Sequence, residues 1–324
     1  FDKQPFDESK VILLEAYRRD GTLLWQLDCG PNSVNKYNIE PGSSTLDIGH
    51  GDNFTVYDIT GDGKAEVIVR TANGVKFSNG ATVTNPDNSK QFISVLDGLT
   101  GVEIARTPYN NPYLAQGPMN GHMGIAYLDG VTPSIIWEAK NRNPDDSFND
   151  MTTAWSWNGS TLVQKWQFLT GNRNCPTGHQ IKIADVDGDG KDEVIPMGFV
   201  IDDDGTLLHS LGDRDVYHGD RFYVGEMDPN RPGLEMYGVQ QGYSTTGIQW
   251  YYCDAKTGQL LLTQKNPANY DMGRGMVGDS NAAHPGYEFY TFVDAIYNVS
   301  GTKATPIQPN TLSYPNLRLW WDDD

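Results

Sequence analysis

The sequence is short of positive charge, cysteine and long apolar runs, and each shortage excludes a class of protein. Its 324 residues carry 24 Lys and Arg against 42 Asp and Glu, a formal net charge of −18. Nucleic acid and anionic membrane surfaces would repel such a chain, so neither is expected as a partner. No run approaches the roughly 18 apolar residues of a membrane-spanning helix. The three cysteines, Cys29, Cys175 and Cys253, show no metal-ligand spacing, and we expect buried thiols.

The sequence also lacks any long periodic stretch rich in Ala, Leu, Glu and Lys, which would indicate helices. It contains 35 Gly and 18 Pro instead. This turn-rich composition favours many short strands over helices.

An acidic loop recurs along the chain. Residues 58–66 read Asp-Ile-Thr-Gly-Asp-Gly-Lys-Ala-Glu, and residues 185–193 read Asp-Val-Asp-Gly-Asp-Gly-Lys-Asp-Glu. Residues 226–235 and 279–288 are versions one residue longer, and His-Gly-Asp corners stand at His50 and His218. Asp-Gly and Asn-Gly turns, typical of hairpins, separate the acidic loops. Four antiparallel strands in each repeat of roughly 40 to 55 residues predict a β-propeller, with a β-sandwich as the alternative.

The acidic loops have the composition of calcium sites. Their oxygens stand at positions 1, 3, 5 and 9 of a tight turn, with a backbone carbonyl at position 7, and Ca²⁺ takes about six to eight oxygen ligands. The alternative is that the Asp-Gly runs are solvated turns. We expect several structural Ca²⁺ ions, and the candidate ligands, with the lysines acting through their carbonyls, are Asp58, Thr60, Asp62, Lys64, Glu66, Asp185, Asp187, Asp189, Lys191, Glu193, Glu226, Asp228, Asn230, Glu235, Asp279, Asn281 and Glu288.

Several of these segments resemble one enzyme family in the same order along the chain. The run 178–193, the His218-Gly-Asp corner and the segment 228–235 are similar to the rhamnogalacturonan lyases of polysaccharide lyase family 11. So are the segments 271–276 and 320–322. The resemblance covers essentially the whole chain.

The resemblance implies an all-β fold, an eight-bladed β-propeller that binds calcium and cleaves the pectin rhamnogalacturonan-I backbone by β-elimination at galacturonate. Residues 1–324 would form a single propeller domain, incomplete because family members are longer at both ends. We expect a secreted monomer whose partner is this acidic plant cell-wall polysaccharide, and three N-x-Ser/Thr sequons agree with secretion. The general base is expected in a segment that this sequence does not contain.

The resemblance also assigns site residues. It implies that His179 and His218 face the substrate cleft and bind a catalytic calcium or the uronate, and that Arg274 holds a carboxylate through its planar fork. Imidazole is a poor ligand for Ca²⁺, and an isolated histidine at a turn more often hydrogen-bonds a neighbouring turn. Two other functions stay open: a non-catalytic calcium-binding propeller for glycans or partner proteins, and a lyase for another uronate polymer.

Overall fold

The structure of the chain is a computed structural model that describes residues 2–3, 10–33, 54–85, 91–113, 119–143, 147–242, 244–266, 271–291 and 295–306. Within these ranges it contains strands, turns and two 3-10 helices, Pro31–Ser33 and Gly212–Arg214, and no α-helix. The predicted all-β class is therefore confirmed. No helix in the described part of the chain is long and apolar enough to cross a membrane.

The chain divides into two compact units. Unit 1 comprises Phe1–Ile125 and Thr132–Gly171. It contains three antiparallel sheets, β1–β3, β4–β7 and β8–β11, and in each of them the strands lie in chain order. The strands are β1 (Asp2–Lys3), β2 (Leu13–Tyr17), β3 (Leu23–Asp28), β4 (Phe54–Tyr57), β5 (Glu66–Ala72), β6 (Gln91–Asp97), β7 (Glu103–Pro108), β8 (Asn120–Ala126), β9 (Ser134–Arg142), β10 (Phe148–Trp157) and β11 (Leu162–Leu169).

Unit 2 comprises Ala126–Val131 and Asn172–Asp324. It contains three four-stranded antiparallel sheets, β13–β16, β18–β21 and β22–β25, and a short parallel pair, β12 with β17. The strands are β12 (Thr177–Gly178), β13 (Ile181–Ala184), β14 (Glu193–Pro196), β15 (Phe199–Ile201), β16 (Leu207–Ser210), β17 (His218–Gly219), β18 (Phe222–Gly225), β19 (Glu235–Val239), β20 (Ile248–Asp254), β21 (Leu260–Lys265), β22 (Gly275–Gly278), β23 (Glu288–Thr291), β24 (Ala295–Asn298) and β25 (Lys303–Pro306).

The predicted Asp-Gly turns join the third and fourth strands of the sheets. Between β15 and β16, Gly205 has φ of 88° and the Thr206 amide donates to Asp204 Oδ1 at 2.9 Å. Glycine adopts this left-handed backbone region without a Cβ clash, so the chain reverses here and joins the two strands in a hairpin. The same reversal at Gly159 joins β10 to β11.

Each apolar core lies between two consecutive sheets of one unit. In unit 1, Leu14 and Leu27 pack with Val67 of the next sheet. In unit 2, Ile195 packs with Met236 and its neighbours. Every residue of β5, β14 and β19 is buried, and burying a Val or Ile side chain contributes about 1.5–3 kcal/mol. The predicted unit of four antiparallel strands is confirmed, whereas closure into a propeller and the single domain over 1–324 stay predictions.

The parallel pair of β12 and β17 positions the candidate site. It aligns Thr177 with His218 and Gly178 with Gly219. Both glycines are required by close packing: a Cβ on Gly219 would lie 1.9 Å from the carbonyl oxygen of Val239, and a Cβ on Gly178 would lie 2.4 Å from the Cβ of Met197. Because glycine fits in both strands, the residues that follow each strand come close together.

Candidate active site

The two histidines predicted to face the cleft are neighbours in space. His179 follows β12 and His218 lies in β17, and their ring centroids are 5.1 Å apart at an interplanar angle of 83°. His218 is buried, and its Nδ1 lies 3.0 Å from the Thr177 hydroxyl. The His179 side chain is 20% exposed. The structure thus brings together two residues that are 39 positions apart in the sequence.

Asp220 connects these histidines to the third predicted residue, Arg274. Arg274 Nη1 donates to Asp220 Oδ2 at 2.8 Å, and Gln241 Nε2 donates to Asp220 Oδ1 at 2.8 Å. His179 Nε2 lies 3.6 Å from the same Oδ1. All three predicted catalytic residues therefore lie at one place in unit 2. Asp220 was missed by the sequence analysis, although the repeated His-Gly-Asp corner contains it.

Two more charged side chains belong to this site. Arg221 Nη1 donates to the backbone carbonyl of Asp220 at 2.8 Å. Asp271 forms an isolated antiparallel bridge with Gln241, and a Cβ on Gly273 would lie 3.4 Å from Asp271 Oδ1. Burial, together with the negative charge of Asp220, raises the pKa of Asp271. The site therefore combines two guanidinium groups, two carboxyl groups and two imidazoles, a set that can bind a carboxylate and move a proton.

A clamp at Asp215 fixes the turn next to this site. Asp215 has φ of 67° and is the only non-glycine residue with positive φ in the described part of the chain. Its carboxylate accepts hydrogen bonds from Ser244, Thr245 and Thr246 at 2.5–2.7 Å. Burial would raise the pKa of Asp215, but these hydrogen bonds lower it well below the usual range. Ser244, the first residue held by the clamp, is three positions after Gln241 in the sequence, and Tyr243 lies outside the described residues.

The loop 185–193 has the geometry expected of a cation site. Asp185 accepts from the amides of Gly188 at 2.7 Å and Gly190 at 3.0 Å, and both glycines have positive φ. The loop brings together three carboxylate oxygens, which lie within 4.8 Å of one another and come from Asp185, Asp187 and Glu193. The sequence therefore folds three carboxylates into one small volume.

Glu193 is the residue in this loop that fits a metal best. Its side chain is 0% exposed, and its Oε2 accepts from the Val186 amide at 2.6 Å. Its other oxygen, Oε1, is buried and has no hydrogen-bond partner among the described residues. A buried carboxylate oxygen without a donor costs free energy unless a cation binds it. Burial and the charges of Asp187 and Asp185 raise the pKa of Glu193 to about 7.

The closing glutamates of the other three loops show the same arrangement in part. Glu66 Oε2 accepts from the Ile59 amide, Glu235 Oε2 from the Met227 amide and Glu288 Oε2 from the Ser280 amide. All three side chains are at most 5% exposed. Glu288 Oε1 has no hydrogen-bond partner in the described ranges, and Glu235 Oε1 lies 3.6 Å from Arg231 Nε. Burial raises the pKa of Glu66 and of Glu235.

The remaining predicted ligands differ in how closely they are gathered. In the loop 58–66, Asp58 accepts from the amides of Gly61, Asp62 and Gly63, and Thr60 contacts it at 3.4 Å. Asp189 and Lys191 form an ion pair at 3.3 Å, and Lys64 lies 4.0 Å from Asp62.

In the longer loops, Asp228 accepts from the Asn230 amide and Asn281 accepts from the Ala283 amide, while Glu226 and Asp279 are exposed. Within the described residues, groups of three acidic ligands form only at Asp185, Asp187 and Glu193 and at Glu193, Asp202 and Asp203. The loop spacing in the sequence did not predict Asp202 and Asp203 as candidate ligands, because they lie on a neighbouring hairpin.

Two further histidines precede strands of unit 1 in the sequence. His122 is buried in unit 1 with its Nδ1 2.9 Å from Glu138 Oε2. His50 lies outside the described residues. Cys29 and Cys253 are buried, as expected, whereas Cys175 is only half-buried, so the expectation of a buried thiol is wrong for Cys175.

Comparison with known proteins now identifies the family. The model of rhamnogalacturonan lyase family 11, C-terminal domain, matches residues 6–324. The chain belongs to rhamnogalacturonan lyase family 11. It is 33% identical over 97% of its length to the rhamnogalacturonan endolyase YesW of Bacillus subtilis (strain 168) and 29% identical to the rhamnogalacturonan exolyase YesX of the same strain.

Solved structures agree with this membership in family 11. The structure of the Bacillus licheniformis rhamnogalacturonan lyase PL11 matches with a TM-score of 0.75 and 29% identity over 92% of this chain and 52% of that chain. The chain also covers 50% of the length of YesW and 52% of the length of YesX. This family 11 chain therefore spans about half the length of the curated relatives that it matches.

Proposed function

We propose that this chain carries the substrate cleft of a rhamnogalacturonan lyase that cleaves the rhamnogalacturonan-I backbone by β-elimination at galacturonate. The observation that carries the proposal is the meeting of His179, His218 and Arg274 around Asp220. These three residues were assigned from the family resemblance, and the family membership now supports that assignment. The names of the relatives, an endolyase and an exolyase, support the substrate class.

The reaction transfers the proton at C5 of the uronate to a general base and breaks the bond between C4 and its oxygen. The oxygen leaves with the departing sugar, and a double bond between C4 and C5 remains in the uronate. In this scheme Arg274 holds the uronate carboxylate, because its side chain is 35% exposed and Asp220 fixes its orientation at 2.8 Å. That hold also stabilises the negative charge that develops beside the carboxylate when the proton leaves. We assign His179 and His218 to the sugar and its carboxylate, beside Arg274, rather than to Ca²⁺. The reason is that imidazoles suit softer metals than Ca²⁺.

We further propose that the acidic loops bind Ca²⁺ and that the sheets close into a propeller. Oxygen-only ligand sets and the buried Oε1 of Glu193 support the calcium sites. A bound Ca²⁺ would hold its loop closed and reduce the repulsion within the −18 chain, whose substrate is also an anion. Within each unit, consecutive antiparallel sheets with an apolar core between them support the propeller. A secreted monomer remains part of the same proposal.

The test is incubation of the full-length protein that carries this chain with rhamnogalacturonan I and Ca²⁺ while the ultraviolet absorbance of the unsaturated product is recorded. We expect absorbance to rise, and Arg274→Gln to slow the rise at least about tenfold because a charge-assisted hydrogen bond to the substrate is lost. Arg19→Gln, which removes an exposed positive charge in unit 1, is the matched control and should leave the rate unchanged. Product from homogalacturonan alone would indicate a lyase for another uronate polymer. Calcium and glycan binding without any product would indicate the non-catalytic propeller.

A further inference from the structure

Two arginines at the candidate site donate hydrogen bonds to the same residue, Asp220. Arg274 Nη1 donates to the carboxylate of Asp220 at 2.8 Å. Arg221 Nη1 donates to the backbone carbonyl of Asp220, also at 2.8 Å. Arg221 follows Asp220 in the chain, whereas Arg274 is 54 positions away. Both positively charged groups therefore donate hydrogen bonds to Asp220.

The positive charges of Arg221 and Arg274 repel each other unless a negatively charged group lies between them. Burial and the positive charge of Arg274 both lower the pKa of Arg221, because both disfavour its charged form. The guanidinium of arginine cannot give up its proton in a protein, so relief must come from a negative group. Asp220 provides one such group and Asp271 another at the same turn. A ligand must therefore be recognised by directed hydrogen bonds rather than by net charge alone.

Arg274 has hydrogen-bond donors available for such a ligand. Its hydrogen bonds to Asp220 and to the Gly273 carbonyl both use Nη1. Its Nε and Nη2 donate to nothing in the described part of the chain, and 35% of the side chain is exposed. A planar guanidinium with two adjacent donors matches the two oxygens of a carboxylate.

We propose that Arg221 is a second specificity-determining arginine, which binds the same uronate carboxylate as Arg274. The proposal rests on the proposed function, because that function makes a uronate polymer the ligand. One carboxylate placed between two guanidinium groups accepts hydrogen bonds from both and offsets their repulsion. His179, 3.6 Å from Asp220, lies beside this carboxylate position. The sequence analysis assigned no role to Arg221, since its meaning depends on the distant Arg274.

The test measures binding separately from cleavage. The probe is the disaccharide of galacturonate linked to rhamnose, whose galacturonate carries no sugar on O4 and so cannot undergo the elimination. The matched probe is the same disaccharide with its carboxylate reduced to an alcohol. Each is titrated into wild-type protein, Arg221→Gln, Arg221→Lys and the control Arg173→Gln, which removes an exposed charge of unit 2. A thermal melt of each variant checks that it is folded.

We expect Arg221→Gln to weaken binding of the acidic disaccharide about tenfold, as loss of a charge-assisted hydrogen bond predicts. Arg221→Lys should recover part of that loss, and Arg173→Gln should bind as wild type does. The reduced disaccharide should bind wild type and Arg221→Gln equally. Equal loss on both probes, no loss on the acidic probe, or no binding of the acidic probe to wild type would overturn the proposal. Failure of the proposed function would give a different result: the acidic disaccharide would bind, but no unsaturated product would form from the polymer.

Discussion

Protonation of Glu193 should test the proposed cation site of the loop 185–193 in solution. Its side chain is 0% exposed, and burial, with the charges of Asp187 and Asp185, raises its pKa from 4.5 to about 7. A pKa difference of this size between the folded and unfolded states corresponds to about 3 kcal/mol of stability. In the metal-free protein the folded state holds the proton more tightly than the unfolded state does. The stability is therefore fully present below pH 4.5 and is lost as the pH rises to about 7.

Calcium should reverse this dependence. A cation bound by Glu193, Asp185 and Asp187 takes the place of the proton, and it binds best when all three are ionised. Stability in excess Ca²⁺ should therefore not fall between about pH 5 and pH 8 on account of this loop.

The assay is urea unfolding across that pH range, with chelator or with Ca²⁺, on wild type and Glu193→Gln. Other buried glutamates also titrate, so the difference between the two proteins isolates Glu193. In chelator the wild type should lose about 3 kcal/mol more than Glu193→Gln as the pH rises. Glu226→Gln, which changes an exposed glutamate, should follow the wild type in chelator. The reasoning is refuted if Glu193→Gln shows the same pH dependence as wild type, or if Ca²⁺ leaves the wild-type curve unchanged.

Substitutions at three further positions test the packing of the fold. Asp215→Ala removes five accepted hydrogen bonds of 2.5–2.7 Å and should cost about 2–4 kcal/mol in urea unfolding, with Asp215→Asn costing less; equal losses would contradict the clamp. Gly219→Ala should abolish lyase activity or folding, because its Cβ would lie 1.9 Å from the Val239 carbonyl oxygen, and normal activity would contradict the close pairing. Burial and the charge of Glu138 raise the pKa of Asp150 well above its usual value. Asp150→Asn should therefore change the free energy of unfolding at neutral pH by less than about 1 kcal/mol. A larger loss would show that Asp150 is ionised.

The repeated structure could be predicted from the sequence because its determinants are local. A glycine with positive φ, such as Gly205, and the alternating strands beside it specify a hairpin within about ten residues. The acidic loops are equally local: the Asp185 carboxylate and the Gly188 and Gly190 amides that it accepts from lie within six positions. Four-stranded sheets with acidic loops followed from these signals.

The site itself could be predicted only in part, because its contacts are distant in sequence. His179, His218 and Arg274 came from the family resemblance, and no local pattern would have joined them. Asp220 holds Arg274 across 54 positions, and Gln241 reaches the same carboxylate across 21. Such contacts depend on the parallel pairing of two short strands, which periodicity does not reveal.

The central claim is the proposal that this chain carries the substrate cleft of an enzyme that cleaves rhamnogalacturonan I by elimination, and the product mass tests it most directly. Digestion in water enriched in heavy oxygen, followed by mass spectrometry, separates elimination from hydrolysis. We predict products that carry one unsaturated uronate each and no oxygen from the solvent. Products that contain solvent oxygen and no unsaturated sugar, or an uncleaved polymer, would contradict the account.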